Sequence, residues 1–185
     1  MLGFDFLVLM AAASAAGSLG GPLDDAAAGL VQCYEPNDAA KTCRSMASYS
    51  KNPDGTWDNT AVVELSPGQP VSLETVTPVR LKDGAVCGYI RRDDVLNGRL
   101  RLSGKLIPGD KAGPILEKIA DGMSPFMGKE ICTKYVRINN ELVAKGIVEG
   151  GSDPVPDQRV KWVKPTDGYS VAAGSVQAVV AESGG

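Results

Sequence analysis

The sequence contains no histidine. Ser-His-Asp and Cys-His catalysis both move the nucleophile's proton through an imidazole, so neither can operate here, and most zinc enzymes are excluded with them. Aromatic residues make up only 5% of the chain, too few for a base-stacking platform, and no basic cluster is interleaved with them. The 19 basic and 22 acidic residues are spread along the 185 positions and leave a net charge of -3, which gives no strong field toward nucleic acid or anionic lipid. No nucleic-acid partner is therefore expected. A C-x-x-C pair, a glycine-rich phosphate loop and an internal repeat are all missing. So is an apolar run of about 20 residues, the length that spans a bilayer, and no stable membrane span is expected.

What is present begins with "MLGFDFLVLMAAASAAGSLGG". An apolar run from Phe6 to Ala13 leads into Ala13-Ser14-Ala15, an A-x-A cleavage pattern, so residues 1–15 read as a signal peptide, although Asp5 rather than a basic residue precedes the run. The expected location is periplasmic or secreted. Behind it, 16–31 reads as a partly helical or disordered segment, 32–166 as one globular domain, and 167–185 as a small-residue tail.

Four cysteines, Cys33, Cys43, Cys87 and Cys132, form an even set, as expected in an oxidising compartment. Pairing of sequence neighbours is expected, Cys33 with Cys43 and Cys87 with Cys132, because Glu35-Pro36-Asn37-Asp38 can turn the short loop back on itself. A four-thiolate zinc site is the rival, and it lacks the close ligand spacing such sites use. No metal and no cofactor are expected.

Turn signals at Pro53-Asp54-Gly55, Asp83-Gly84 and Asn97-Gly98 separate β-branched runs at 60–65, 74–81, 85–91 and 99–107. Asn139-Asn140 joins 130–138 to 141–150 in the clearest hairpin, and 157–164 reads as a last strand. Pro78 suits an edge or a bulge. In "RLRLSGKLI", Leu100, Leu102 and Leu106 alternate with Arg99, Arg101, Ser103 and Lys105, which predicts one core face. "GPILEKIADGM" carries an apolar stripe behind Pro114 and predicts the main helix, about 113–127 with the following turn. The expected fold class is α+β: an antiparallel sheet of about six to eight short strands, one helix packed on its face, and two disulfides.

No residue set supports catalysis. The pairs Asp24-Asp25 and Asp93-Asp94 suit caps or solvated turns, since adjacent acids on a strand face opposite ways. For binding, Arg91, Arg92, Arg99 and Arg101 could converge through the Asn97-Gly98 turn on a small anionic ligand. Tyr34, Tyr49 and Trp57, near the short cysteine loop, could contact an envelope protein. The expected function is an exported, non-catalytic binding or structural domain. Its rivals are an enzyme inhibitor presenting loop 33–43 and an enzyme using carboxylate or Ser/Lys chemistry.

Overall fold

The computed structural model describes residues 20–66, 69–151 and 155–171. Residues 1–15, read above as a signal peptide, lie outside them, as does most of the expected tail 167–185. A short helix α1 (Asp24–Ala27) leads into strand β1 (Val31–Tyr34), followed by β2 (Thr42–Cys43), β3 (Ser45–Lys51), β4 (Trp57–Glu64), β5 (Val71–Lys82) and β6 (Ala85–Tyr89). Helix α2 (Arg92–Leu96), the hairpin β7 (Arg99–Leu102) and β8 (Lys105–Leu106), and helix α3 (Gly109–Gly122) come next. The chain then returns through β9 (Glu130–Ile138), β10 (Glu141–Val148) and β11 (Gln158–Val163), and β12 (Ser170–Val171) pairs with β2 in parallel.

Eight of these strands close on themselves. The order β4-β3-β1-β11-β10-β9-β6-β5 returns to its start through the β4–β5 pairing, and every ladder within it is antiparallel. Among the described residues the protein is mostly β, a closed eight-stranded barrel with one helix of seven or more residues, and the expected α+β sheet is corrected accordingly. The reason is physical. Turn chemistry fixes which neighbours form hairpins, but it carries no record that β1 meets β11, some 130 positions later in the chain, through the register Val31↔Val163 to Tyr34↔Val160. The buried face of a closed barrel is its inner one, so the helix cannot lie flat on an open sheet. Instead α3 packs with α2 at one end of the barrel, over Leu73, which shares a face of β5 with Thr75 and Thr77, in a core with Val95, Leu100, Ala112, Leu116 and Ala120.

The hairpins are made as their turns require. Asn139 and Asn140 adopt φ of 49° and 66°, and Asp83-Gly84 adopts 51° and 73°, the left-handed pair of a tight two-residue turn. Helix α3 starts earlier than expected, at Gly109, because Pro108 supplies an extended cap whose carbonyl accepts the Ala112 N–H at 2.8 Å. Pro114 then sits inside the helix rather than at its first position. The β7–β8 hairpin keeps only part of its expected core face: Leu100 is fully buried, whereas Leu102 and Leu106 are 49% and 56% exposed, beyond the reach of α3.

Both disulfides join sequence neighbours, Cys33–Cys43 and Cys87–Cys132. Cys87 and Cys132 are directly opposed on β6 and β9, so the second bridge is a cross-strand tie on the outside of the barrel. No helix among the described residues is long and apolar enough to cross a membrane.

Candidate functional site

Period-two alternation sorts every barrel strand into lumen and outer residues. Register then fixes the lumen wall: Tyr49 opposes Asn59, Asn59 opposes Thr77, Ala61 opposes Thr75, and Val86 opposes Thr133. One end of this lumen is plugged. Leu23, which caps α1, and Ala26 within it pack with Trp57, Val79 and Val86, beside Tyr49, Tyr135 and Trp162. Above Val79 and Val86 the lumen is not filled, and a cavity of about 210 Å³ remains.

Three phenols build its polar side. The hydroxyls of Tyr34, Tyr49 and Tyr135 donate to Gln32 Oε1 at 2.9, 3.0 and 3.2 Å, and Tyr34 and Tyr135 lie 2.8 Å apart. Gln32 is fully buried. Burial and the neighbouring phenols push the Tyr34 hydroxyl well above the usual tyrosine range, and burial followed by Tyr135 does the same for Tyr49. Both therefore stay neutral and protonated at ordinary pH. On the neighbouring strand to Tyr49, Asn59 Oδ1 is fully buried with no hydrogen-bond partner, as is Gln32 Nε2. Asn59 lies on the cavity wall with Thr75, Thr77 and Thr133.

The opening is set by β5. Its first residues, Val71 to Glu74, pair with β7, and Val79 to Lys82 pair with β6, so Thr75 to Pro78 have a strand on the β4 side only. Pro78 sits in this local edge, where a missing N–H costs no ladder bond. The gap is bordered by Ile90, Arg91, Asp94 and Val95 at the start of α2. Arg91 grips Asp94 with two hydrogen bonds, Nε to Oδ2 at 3.0 Å and a terminal nitrogen to Oδ1 at 2.7 Å, so the two rim charges neutralise one another. Gly88 is needed on this wall, because a Cβ there would stand 2.9 Å from Val79 Cγ1.

Compared with known proteins, the chain matches no family model, no curated protein and no solved structure.

The residues singled out from sequence fall in two places. Tyr34 and Tyr49 turn into the lumen and Trp57 is buried at its plugged end. The arginines are each held by carboxylates: Arg91 by Asp94, Arg92 by Glu117 and Asp121, and Arg99 and Arg101 by Glu74. Gln32, Asn59, Thr75, Thr77, Thr133 and Tyr135 were not legible as site residues. Their one signal is polar side chains at alternate positions of strands, which a barrel with an apolar interior would not carry.

Two other features are less suited to a ligand. Cys87, Glu130 and Cys132 lie at metal-like spacing, but the two sulfurs are bonded to each other and cannot act as thiolates. Outside the barrel, Arg80 and Lys82 both pair with Glu130, whose carboxyl is held below its ordinary range by Lys82 first and Arg80 second, against desolvation. A larger hollow of about 470 Å³ includes Asp38, Arg159 and Lys161. Its charges are largely met within the protein, Lys161 by Asp38 and Arg159 by Glu35.

Proposed function

We propose that this is an exported, non-catalytic binding domain whose barrel lumen receives a small molecule. The observation that carries it is the lumen itself: a cavity of about 210 Å³ inside a closed eight-stranded barrel, lined by Thr75, Thr77, Thr133, Asn59 and the tyrosines. Barrels of eight strands are wide enough either to fill with side chains or to hold one small ligand, and this one leaves room. Catalysis is not supported by the same wall, since its one carboxylate, Asp94, is held by Arg91 at the rim. Two formed disulfides support an oxidising location, periplasmic or extracellular.

Screening the oxidised full chain against a library of single-ring and short-chain compounds tests this. At 100 times its Kd a ligand adds about 2.7 kcal/mol, which raises Tm by about 5 to 10 °C for a chain of this size. A true ligand also perturbs the amide resonances of Thr75, Thr77 and Thr133. Both effects vanish in Thr75→Phe, which fills the lumen. A library that leaves those resonances still, or a Tm shift that survives in Thr75→Phe, overturns the proposal.

A further inference from the structure

The two disulfides stand in unlike surroundings. Cys33 and Cys43 are sealed in the core, 0% and 1% exposed, among Val31, Met46, Val163 and Tyr169. Cys87 and Cys132 instead form part of the wall of a hollow of about 280 Å³ on the outside of the barrel. Cys87 is buried there, but Cys132 is half-buried, and its cross-strand neighbour Ile147 is 62% exposed. A thiol can therefore reach the second bridge while the fold stays closed, and it cannot reach the first. Register adds another difference. The Asp83-Gly84 turn makes Lys82 and Ala85 a hydrogen-bonded pair, and every second rung with them, so Cys87 exchanges its ladder bonds with Arg80 and has none to give Cys132. Opposed residues of that kind lie about 4.5 Å apart at Cα, closer than the roughly 5.5 to 6 Å that most disulfides take. The separation is 4.0 Å at Cys87–Cys132 and 5.3 Å at Cys33–Cys43. Neighbouring staves of a closed barrel cannot move apart to suit the bond, which makes it the easier of the two to open. Charge does not oppose an approaching thiolate: Lys82, Lys134, Asp83, Glu130 and Glu149 line the hollow and Arg80 is bound to Glu130, so three cations meet three anions.

We propose that Cys87–Cys132 is a site of thiol–disulfide exchange with a dithiol, whereas Cys33–Cys43 is a fixed staple. One thiolate of the dithiol attacks Cys132 Sγ from the Ile147 side, in line with the bond; the S–S bond breaks, and Cys87 leaves as a thiolate that takes up a proton. The dithiol's second sulfur then displaces Cys132, so the dithiol departs as its own disulfide and two electrons and two protons remain on the cysteines. Exchange runs both ways, and a disulfide of the same class restores the bridge. None of this depends on the lumen being a binding site.

The test treats the folded, oxidised full chain with dithiothreitol at graded concentrations, then alkylates the free thiols and maps them by peptide mass. Cys87 and Cys132 should be alkylated at least about tenfold faster than Cys33 and Cys43, at a rate proportional to the dithiol concentration. With glutathione, a monothiol, the first adduct should sit on Cys132. Ile147→Trp, at an exposed position, should narrow the approach and slow exchange at Cys132 while leaving the rate at Cys33–Cys43 unchanged. Two bridges that open together, or a rate that stops rising with dithiol and equals the unfolding rate, overturn the proposal, because exchange then needs the unfolded chain. Faster opening of Cys33–Cys43 overturns it as well. A first adduct on Cys87, or an unchanged rate in Ile147→Trp, overturns the approach from β10 and leaves the exchange site standing. Should Ile147→Trp not fold, the wild-type rates and the position of the glutathione adduct decide alone.

Discussion

Replacing Tyr34 and Tyr49 together by Phe should flatten the alkaline limb of the stability curve. In the folded protein both hydroxyls titrate well above the usual range because burial disfavours the phenolate. In the unfolded chain they titrate near about 10. Between those limits the native state holds more protons than the unfolded one, so stability falls as pH rises, by about 1.4 kcal/mol per pH unit for each tyrosine. The contribution is complete below about pH 10 and is lost progressively as pH climbs toward the raised native values. Two tyrosines therefore give a slope of up to about 2.7 kcal/mol per unit, a large share of the 5 to 15 kcal/mol that holds a typical domain. Urea denaturation at about pH 10.5 and about pH 11.5 measures it, and the wild type should lose about 2 to 2.7 kcal/mol more than the double variant across that interval. The variant's lower starting stability does not matter, since only the slopes are compared. Parallel slopes would refute the idea that the two phenols are kept from water inside the barrel.

Removing the Cys87–Cys132 bridge as a double Ala variant frees a loop of 45 residues and should cost about 4 kcal/mol on the chain-entropy account, against about 3 for the 10-residue Cys33–Cys43 loop; chemical denaturation under oxidising conditions compares them. Leu100→Ala, at a fully buried position where α3 meets β7, should lose about 2 to 5 kcal/mol by the same assay. Gly98→Ala should be destabilising by about 1 to 3 kcal/mol, because its Cβ would lie 2.7 Å from Leu73 Cδ1 and 2.8 Å from the Val95 carbonyl, and a Tm matching the wild type would count against that packing. Glu130, its carboxyl held low by Lys82 and Arg80, contributes stability that is present above the ordinary carboxylate range and is lost as pH falls through its lowered native value, so Glu130→Gln should shrink the acid-side loss seen in wild type.

The parts of this fold that could be read from sequence are those decided within a few residues. Asn139-Asn140 and Asp83-Gly84 demand left-handed backbone, and each makes its hairpin. Strand β3, "SMASYSK", carries serines where a strand usually shows β-branched residues, and β1 is hidden inside a cysteine loop, so two of the eight staves had no local signature. Closure was missed for the same reason that the lumen was. A half-buried sheet shows apolar residues alternating with polar ones, but here the inner face itself mixes Tyr49, Asn59, Thr75 and Thr133 with Val79 and Val86. Alternation then cannot say which face is inside. The tyrosines drew attention as scarce aromatics beside a disulfide, yet their convergence on Gln32 depends on pairings between strands far apart in the chain, such as β1 with β11, which bring Tyr49 and Tyr135, 86 residues apart, within 3.4 Å. That information lies in the register, which no short stretch contains.

The chain between Tyr89 and Glu130, which holds α2, β7, β8 and α3, contributes no strand to the closed barrel. It leaves and returns at one neck, where Gly128 N–H reaches the Ile90 carbonyl at 2.9 Å and the Cys87–Cys132 bridge stands two residues before Tyr89 and two beyond Glu130. Such an excursion is nevertheless tied to the vessel at its base, because β7 pairs with β5 and α2 covers Leu73. Only its far tip, the turn between β7 and β8, can be exchanged without touching a barrel strand. On the proposed binding role, the segment that borders the opening at Arg91 and Asp94 is therefore also the one that holds that end of the barrel in place.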